Sequence, residues 1–593
     1  MKQTAALNKL WSENIIQECV HNQIRYFCVG YGSRNTPLIL AIANHPLAEA
    51  MLHFDERGIA FHALGFAKAS QNPAAIAVTS GSAVGNLLPA VMEAYEDRVP
   101  LLILTADRPP ELRDIGANQT TDQVKIFQPY VFWQMDFPAP DPRISLKYVR
   151  STIAKAIFLA KQHSGPVHIN FMFREPFFLP EDLQSEFQKF RSTETAAYWS
   201  RPQNSLDHGT GEKYAEDLLQ HEEGIIVVGA LPKDTSIEPI LQLAKKKRWP
   251  IFADITSNIR SEGTSGEIIP HYDLLVKSSC MDKSLNPKAV LHLGGRLVSK
   301  SFLEWIAGLK PHIYLQIANH MKCIDPTCSV THRLACDPAQ FCNALCEDLL
   351  SSSGEYLQKW LSFSHQAAQK ISAYLQDQKK LTEIQLPFSL ATYLDRTTPV
   401  FFANSMPIRD ADAFLFPAKK IGPIFANRGL SGIDGNIATA IGISKALKHS
   451  TIAILGDLAF LHDVNSLSQL KDSAYPIIFL VVNNHGGGIF SFLPIANSPD
   501  NVFERFFAGK HAFEFKEIAS GFHLSYFKPN TVEALMIAIK TSQKNQKSAI
   551  IEIPTDRAEN FRQHQDIIEI MKKIEPKKRS FLSLCYSALA KGT

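Results

Sequence analysis

Short, unbroken apolar runs that stop on Gly, Ser, Asn or Asp recur along the chain, at 26–30, 74–81, 101–107, 224–229, 290–295, 400–405, 451–457 and 477–484. A strand-length run without polar alternation is buried on both faces. Its alternation with segments of helical period, such as 87–97, is the pattern of parallel sheets covered by helices. The expected fold class is therefore α/β with parallel sheets. Ligands then belong at the carboxyl ends of the strands, where the polar residues that end these runs fall.

Division of 593 residues by about 150 per domain suggests about four domains. Two segments read as joints, a polar one at about 182–207 and a charge-rich helical one at about 351–383. They divide the chain into three α/β units, 1–185, 206–350 and 384–575, followed by a C-terminal extension at 576–593. No repeat is visible in the sequence itself.

With 61 Lys plus Arg against 58 Asp plus Glu, the chain has no basic stripe of the kind that binds nucleic acid through bulk charge. The apolar runs fall far short of the roughly 18 residues of a membrane span. Lys9, Glu13 and Asn14 interrupt any secretory apolar core, so a cytoplasmic location is expected. Nine cysteines are too sparse for a disulfide framework. Cys323, Cys328, Cys336, Cys342 and Cys346 crowd together with His320 and His332. Their irregular spacing, and the helical offset of Cys342 and Cys346, favour packed apolar residues over a zinc site.

The sharpest chemical signal is in the last unit. One run delivers Gly456-Asp457, and a second delivers Asn483-Asn484 followed by His485-Gly486-Gly487-Gly488. Each pair alone also fits a plain turn. Together, a carboxylate and an amide oxygen at neighbouring strand ends make a hard, oxygen-only site suited to Mg²⁺ holding a phosphate ligand. In the first unit, Glu56 stands in His53-Phe54-Asp55-Glu56-Arg57-Gly58, between an apolar stretch and the helical run 59–69. An acid in a first helical turn is also favoured by the helix dipole.

Gly456-Asp457-Leu458 and Asn483-Asn484 resemble the fingerprint of thiamine-diphosphate-dependent enzymes, with Leu458 where many relatives carry Gly. Further motifs are Gly32-Ser33-Arg34-Asn35-Thr36-Pro37, Thr79-Ser80-Gly81, Ala106-Asp107-Arg108-Pro109-Pro110-Glu111, Gly116-Ala117-Asn118-Gln119, Asn427-Arg428-Gly429 and Ser431-Gly432-Ile433-Asp434-Gly435. In this order they resemble the menaquinone-pathway family of 2-succinyl-5-enolpyruvyl-6-hydroxy-3-cyclohexene-1-carboxylate synthases, from about residue 10 to 570. The resemblance implies a pyrimidine-binding unit, a central unit and a diphosphate-binding unit, with thiamine diphosphate and Mg²⁺ or Mn²⁺ as cofactors. It also implies a transferase that decarboxylates 2-oxoglutarate and adds the resulting carbanion to isochorismate in a 1,4 sense, working as a homodimer or homotetramer.

By the same resemblance, Glu56 and Gln119 are catalytic, Glu56 by protonating the cofactor's aminopyrimidine at N1′. Asp457, Asn484 and Gly486 hold the metal. Asn404, Ile433, Ile489 and Phe490 contact the cofactor, Ile433 as the wedge that bends it. Ser33, Arg34, Arg108, Lys300, Ser405, Arg409 and Arg428 bind the two dianionic substrates, for which guanidinium forks are suited. Ser301 follows Lys300 where some relatives carry a second basic residue.

Three other readings remain open. The first is another thiamine-dependent 2-oxoacid decarboxylase or carboligase of the acetohydroxyacid synthase type, in which apolar residues suit the places of Arg34 and Arg108. The second is a catalytically dead subunit of the same fold. The third is a flavin- or nucleotide-binding protein, against which stands the lack of a G-x-G-x-x-G after the first run.

Overall fold

The computed structural model describes residues 2–178, 216–232, 235–263, 266–346, 352–417 and 419–574, together with Trp199 and Tyr214. The segment read as a polar joint lies almost wholly outside the described residues, as does the C-terminal extension at 576–593.

Every described apolar run becomes a strand, shortened where its polar end turns out of the ladder. The first sheet contains β1 (Tyr26–Gly30), β2 (Glu49–His53), β3 (Ala74–Val78), β4 (Leu101–Asp107), β5 (Trp133–Phe137) and β6 (Val167–Met172). The second has β7 (Gly224–Val228), β8 (Ile251–Ala253), β9 (Ala289–Leu293), β10 (Ile313–Ala318) and β11 (His332–Ala335). The third has β12 (Val400–Phe402), β13 (Ile424–Ala426), β14 (Thr451–Gly456), β15 (Ile477–Asn483), β16 (Ser525–Phe527) and β17 (Ala549–Pro554). All pairings are parallel, as in β1 with β3 and β14 with β15.

Sheet orders are β2-β1-β3-β4-β6-β5, β11-β10-β9-β7-β8 and β13-β12-β14-β15-β17-β16. The first and third sheets thus share one winding. In each, the second strand lies on one side of the first and the later strands on the other, which opens a crevice at the carboxyl ends of β1 and β3, and of β12 and β14. The edge strands β2, β5 and β11 carry half-exposed residues and show no continuous apolar run. Inside β6, the buried polar residues His168 and Asn170 break such a run.

The described chain gathers into two compact units. One holds the first and third sheets, joined through the helices Glu56–Ser70 and Asn436–Leu447. A Cβ on Gly65 would lie 2.1 Å from the Thr439 carbonyl oxygen, and one on Gly442 would lie 2.1 Å from that of His62. Side chains are excluded there, so the two backbones meet directly.

The other unit holds the second sheet. The segment read as a charge-rich helical joint is, over its described residues 352–383, packed into this unit. The helix Glu355–Gln376 buries Trp360, Phe363, Ala367 and Ile371, spaced three or four apart, and packs with Ile567 and Met571 of the helix Arg557–Lys572. Cys336, Cys342 and Cys346 sit in the core beside Trp249 and Phe341, whereas Cys323 and Cys328 are exposed.

His62 is fully buried in the first unit. The Gln469 Oε1 only accepts, so Nδ1–H donates to it at 2.8 Å and Nε2 accepts the Tyr26 hydroxyl at 2.8 Å. Burial pulls its pKa down to about 4, and that of His168 down to about 3. Each ring is therefore neutral when folded and protonated when unfolded between these values and about 6.5. The unfolded chain binds more protons there, so stability falls as pH drops from about 6.5 to about 4. In urea melts followed against pH, His62→Gln is expected to flatten that fall by about one proton's slope; an unchanged slope would contradict the assignment.

Candidate active site

Loops at the carboxyl ends of β1, β3 and β4 bring Arg34, Ser80, Arg108 and Gln119 together. Arg34 donates from Nη1 to the Phe173 carbonyl at 2.9 Å and from Nη2 to Glu175 at 3.2 Å, with its guanidinium 4.5 Å from the Phe177 ring centre. Arg108 donates to the Ser80 hydroxyl and to the Gln119 carbonyl. Both arginines are 7% exposed. Burial lowers the pKa of Arg34, and the neighbouring charge of Arg108 lowers it further. Glu175 and Asp107 oppose that fall, so the two buried cations lie in a partly balanced cluster. Ser33 is exposed at the start of the same loop.

Behind these side chains lies a buried polar frame. Gln123 accepts the Gly81 N–H at 3.0 Å and donates to the Ala106 carbonyl at 3.1 Å and to Asn170 at 2.9 Å. Asn170 donates to Asp107 at 2.8 Å, and Asp107 pairs with Arg113 at 2.7 Å. Gly81 has φ +83°, and a Cβ there would lie 3.0 Å from Gln119 Cγ. The frame thus sets both the turn after β3 and the start of the Arg108 loop.

At the end of β2, Asp55 caps the helix Glu56–Ser70 by accepting the Arg57 N–H at 3.0 Å, and it accepts a second bond from Asn465 at 2.5 Å. Glu56 is the first helical residue and half-buried. Its carboxylate accepts from Asn86 at 3.4 Å, and its Cγ lies 3.4 Å from where a Cβ on Gly30 would stand. His53 ends the strand, buried, with Nε2 2.7 Å from the Ser468 hydroxyl.

In the third sheet, Asp457 follows β14 and Asn484 follows β15. Asp457 Oδ2 accepts the Gly486 N–H at 2.9 Å and Oδ1 accepts the Leu458 N–H at 2.6 Å, which draws the two strand-end loops together. Burial raises the Asp457 pKa, and the two N–H groups and His511 oppose that rise. Carboxylate, amide and carbonyl oxygens at this point form a donor set that fits a hard divalent cation. Ile489 and Phe490 follow on a short 3₁₀ turn, Gly488–Phe492, pinned by the Gly487 N–H to the Ala508 carbonyl at 2.6 Å.

After β12, Asn404 donates to the carbonyls of Asn427 at 2.7 Å and Gly432 at 2.8 Å and accepts from Arg428 at 2.7 Å. Ser405 follows with φ +72°. Ile433 is 39% exposed, which sets it apart from the core. Lys300 and Arg409 belong to the second unit. Lys300 opens the helix Lys300–Leu309 and pairs with Glu304 at 3.0 Å, and Arg409 is exposed on the helix Met406–Phe414.

Sequence reading did not reach Gln123, Asn170 or His511. His511 Nε2 lies 3.2 Å from Asp457 Oδ2 with both side chains buried. No strand end or motif marks it, so only the fold could find it.

Three family models match the chain: the N-terminal TPP-binding domain of thiamine pyrophosphate enzymes over residues 11–126, the middle domain over 186–402 and the C-terminal TPP-binding domain over 411–553. The chain belongs to the thiamine pyrophosphate enzymes. Proteins named 2-succinyl-5-enolpyruvyl-6-hydroxy-3-cyclohexene-1-carboxylate synthase match it nearly end to end. That of Rubrobacter xylanophilus is 38% identical, covering 95% of this chain and 98% of its own. That of Salinibacter ruber is 38% identical over 94% and 95%, and that of Chloroflexus aurantiacus 37% over 96% and 97%. Within the thiamine pyrophosphate class, the chain is a member of this synthase family.

Gln123→Leu leaves the buried Gly81 N–H and Ala106 carbonyl without their partner. It is expected to cost about 2–4 kcal/mol in urea unfolding, whereas Gln119→Ala, at an exposed residue, is expected to cost under about 1 kcal/mol. Equal losses in the two variants would show that the frame carries no special share of the loop's stability.

Proposed function

We propose that the chain decarboxylates 2-oxoglutarate with thiamine diphosphate and joins the remaining four-carbon unit to isochorismate, giving 2-succinyl-5-enolpyruvyl-6-hydroxy-3-cyclohexene-1-carboxylate and CO₂. The observation that carries this reading, in a member of this family, is the side-by-side burial of Arg34 and Arg108. A monoanionic substrate such as pyruvate does not call for that concentration of positive charge, and a dicarboxylate does. Arg428 and Ser33 add donors on the same unit, with Lys300, Arg409 and Ser405 assigned to the same role from the family motif.

When bound, thiamine diphosphate supplies the electron sink for loss of CO₂. The Glu56 carboxyl would hold and return a proton at the pyrimidine N1′. Asp457, Asn484 and the Gly486 carbonyl would hold Mg²⁺ or Mn²⁺. Asn404 fixes the loop that carries Ile433, which would pack against the cofactor, and Gln119 would face the substrate beside Arg108. Ile489 and Phe490 would wall the site against water, as a carbanion-forming reaction requires. A second copy of the chain completes the site, at least as a homodimer. Exposed Leu52, Phe54 and Ile433 give it an apolar surface to cover. Among the described residues no helix is long and apolar enough to cross a membrane.

The decisive assay supplies thiamine diphosphate, Mg²⁺ and 2-oxoglutarate with and without isochorismate and follows the oxoacid. Rapid loss only with isochorismate present supports the reading; preference for pyruvate refutes it. Glu56→Gln is expected to leave circular dichroism and Mg²⁺ binding intact while exchange of the cofactor's C2 proton slows by about 10²-fold or more. Normal exchange in that variant would remove Glu56 from its role.

A further inference from the structure

Glu93 stands outside every motif of the sequence, on the helix Leu88–Asp97 beside the first sheet, and is 3% exposed. Its carboxylate does not end on a solvent-facing partner. Oε1 accepts the Gly429 N–H at 2.8 Å and Oε2 accepts the Leu430 N–H at 2.6 Å, two successive amides of the loop that follows β13. Consecutive N–H groups converging on one carboxylate form a small anion nest.

The approach is close enough to exclude a side chain. A Cβ on Gly429 would lie 2.6 Å from the Glu93 carbonyl oxygen and 3.0 Å from its carboxylate. Lys68 reinforces the clamp. Its Nζ lies 4.0 Å from Glu93 and 2.5 Å from Asp97, and it donates to the Ala426 carbonyl at 2.6 Å and to Asn427 Oδ1 at 2.9 Å. On the far side of the same loop, Asn404 holds the Asn427 and Gly432 carbonyls. Arg428 stands between these two holds and Ile433 directly after them.

A cavity of about 260 Å³ borders the loop, lined by Phe61, Leu88, Pro89, Met92, Leu430 and Asp434 among others. Where a loop borders open space, its directional bonds do much to locate it.

We propose that Glu93 is the positioning residue for Arg428 and Ile433: it fixes from behind the loop that presents a guanidinium to the substrate carboxylate and an apolar wedge to the cofactor. The part concerning Arg428 rests on the function proposed above. The part concerning Ile433 rests only on membership of the thiamine pyrophosphate class, so the two fail separately.

The test uses the full-length protein and Glu93→Gln, which keeps the shape of the side chain but leaves one amide N–H of the loop facing an NH₂ group. Three readouts are taken: the thermal midpoint, the Kd of thiamine diphosphate with Mg²⁺ by calorimetry, and kcat and KM for 2-oxoglutarate and isochorismate. The expected result is a Kd for the cofactor and a KM for one substrate each raised about tenfold, with kcat changed less than about threefold. Placed in an Arg428→Ala background, Glu93→Gln is expected to add almost nothing to KM, because the two act as one unit. Additive effects on KM overturn the positioning of Arg428, and an unchanged cofactor Kd overturns that of Ile433. If Glu93→Gln does not fold, Gly429→Ala displaces the loop from the other side and must give the same split between KM and kcat. If the wild type turns over neither substrate, the proposed function fails, and the cofactor Kd still judges the clamp.

Discussion

The contact on which the first unit depends is the one between the helices Glu56–Ser70 and Asn436–Leu447. Gly65 and Gly442 each admit the partner's carbonyl where a side chain would otherwise project, and Gly435, at φ +63°, admits the ring of Phe61. This fixes the first and third sheets against each other with backbone precision, since interhelical distance depends on what stands at the contact. Both functional ends follow from it. Glu56 is the first residue of one helix, and Ile433 lies just before the other. A change of spacing there would move Glu56 and Ile433 at once, the two residues proposed to hold a proton and to shape the cofactor.

Much of this was legible in the chain itself. Strand ends announce themselves when an apolar run stops on a residue that no buried strand would choose, as at Asp457 and Asn484, whereas Arg34 and Arg108 are picked out by the family motifs that follow two other strands. Glu56 stands out differently, as an acid between an apolar stretch and a helical run. The edge strands were not legible, because β2 and β11 face solvent on one side and lose the continuous run. Nor was the role of 351–383. Its charges suggest a joint, while its buried stripe of Trp360, Phe363, Ala367 and Ile371 makes it core.

The supporting groups of the site were hidden for a different reason. Gln123 and Glu93 act through backbone groups far along the chain, the Gly81 N–H for Gln123 and the Gly429 N–H for Glu93, and Asn170 joins the frame only through the side chains of Gln123 and Asp107. A side chain whose partner is a main-chain N–H or carbonyl leaves no complementary residue to be noticed. His511 poses the same difficulty, since its proximity to Asp457 is created only when residues 488–513 fold back over the strand ends. Direct contacts with ligands tend to be written in residue type, and the scaffolding behind them in topology.

The shared winding of the first and third sheets has one further meaning. Position by position, β1 corresponds to β12, β3 to β14 and β4 to β15. The loops after β1 and β4 present Arg34 and Arg108, whereas those after β14 and β15 present Asp457 and Asn484. One architecture, used twice, thus carries two buried arginines at the strand ends of one sheet and a carboxylate and an amide at those of the other. No shared motif in the amino-acid string marks this pseudo-symmetry. A single scaffold can hold unlike chemistry at its two sets of strand ends because the winding, and not the residue type, places them.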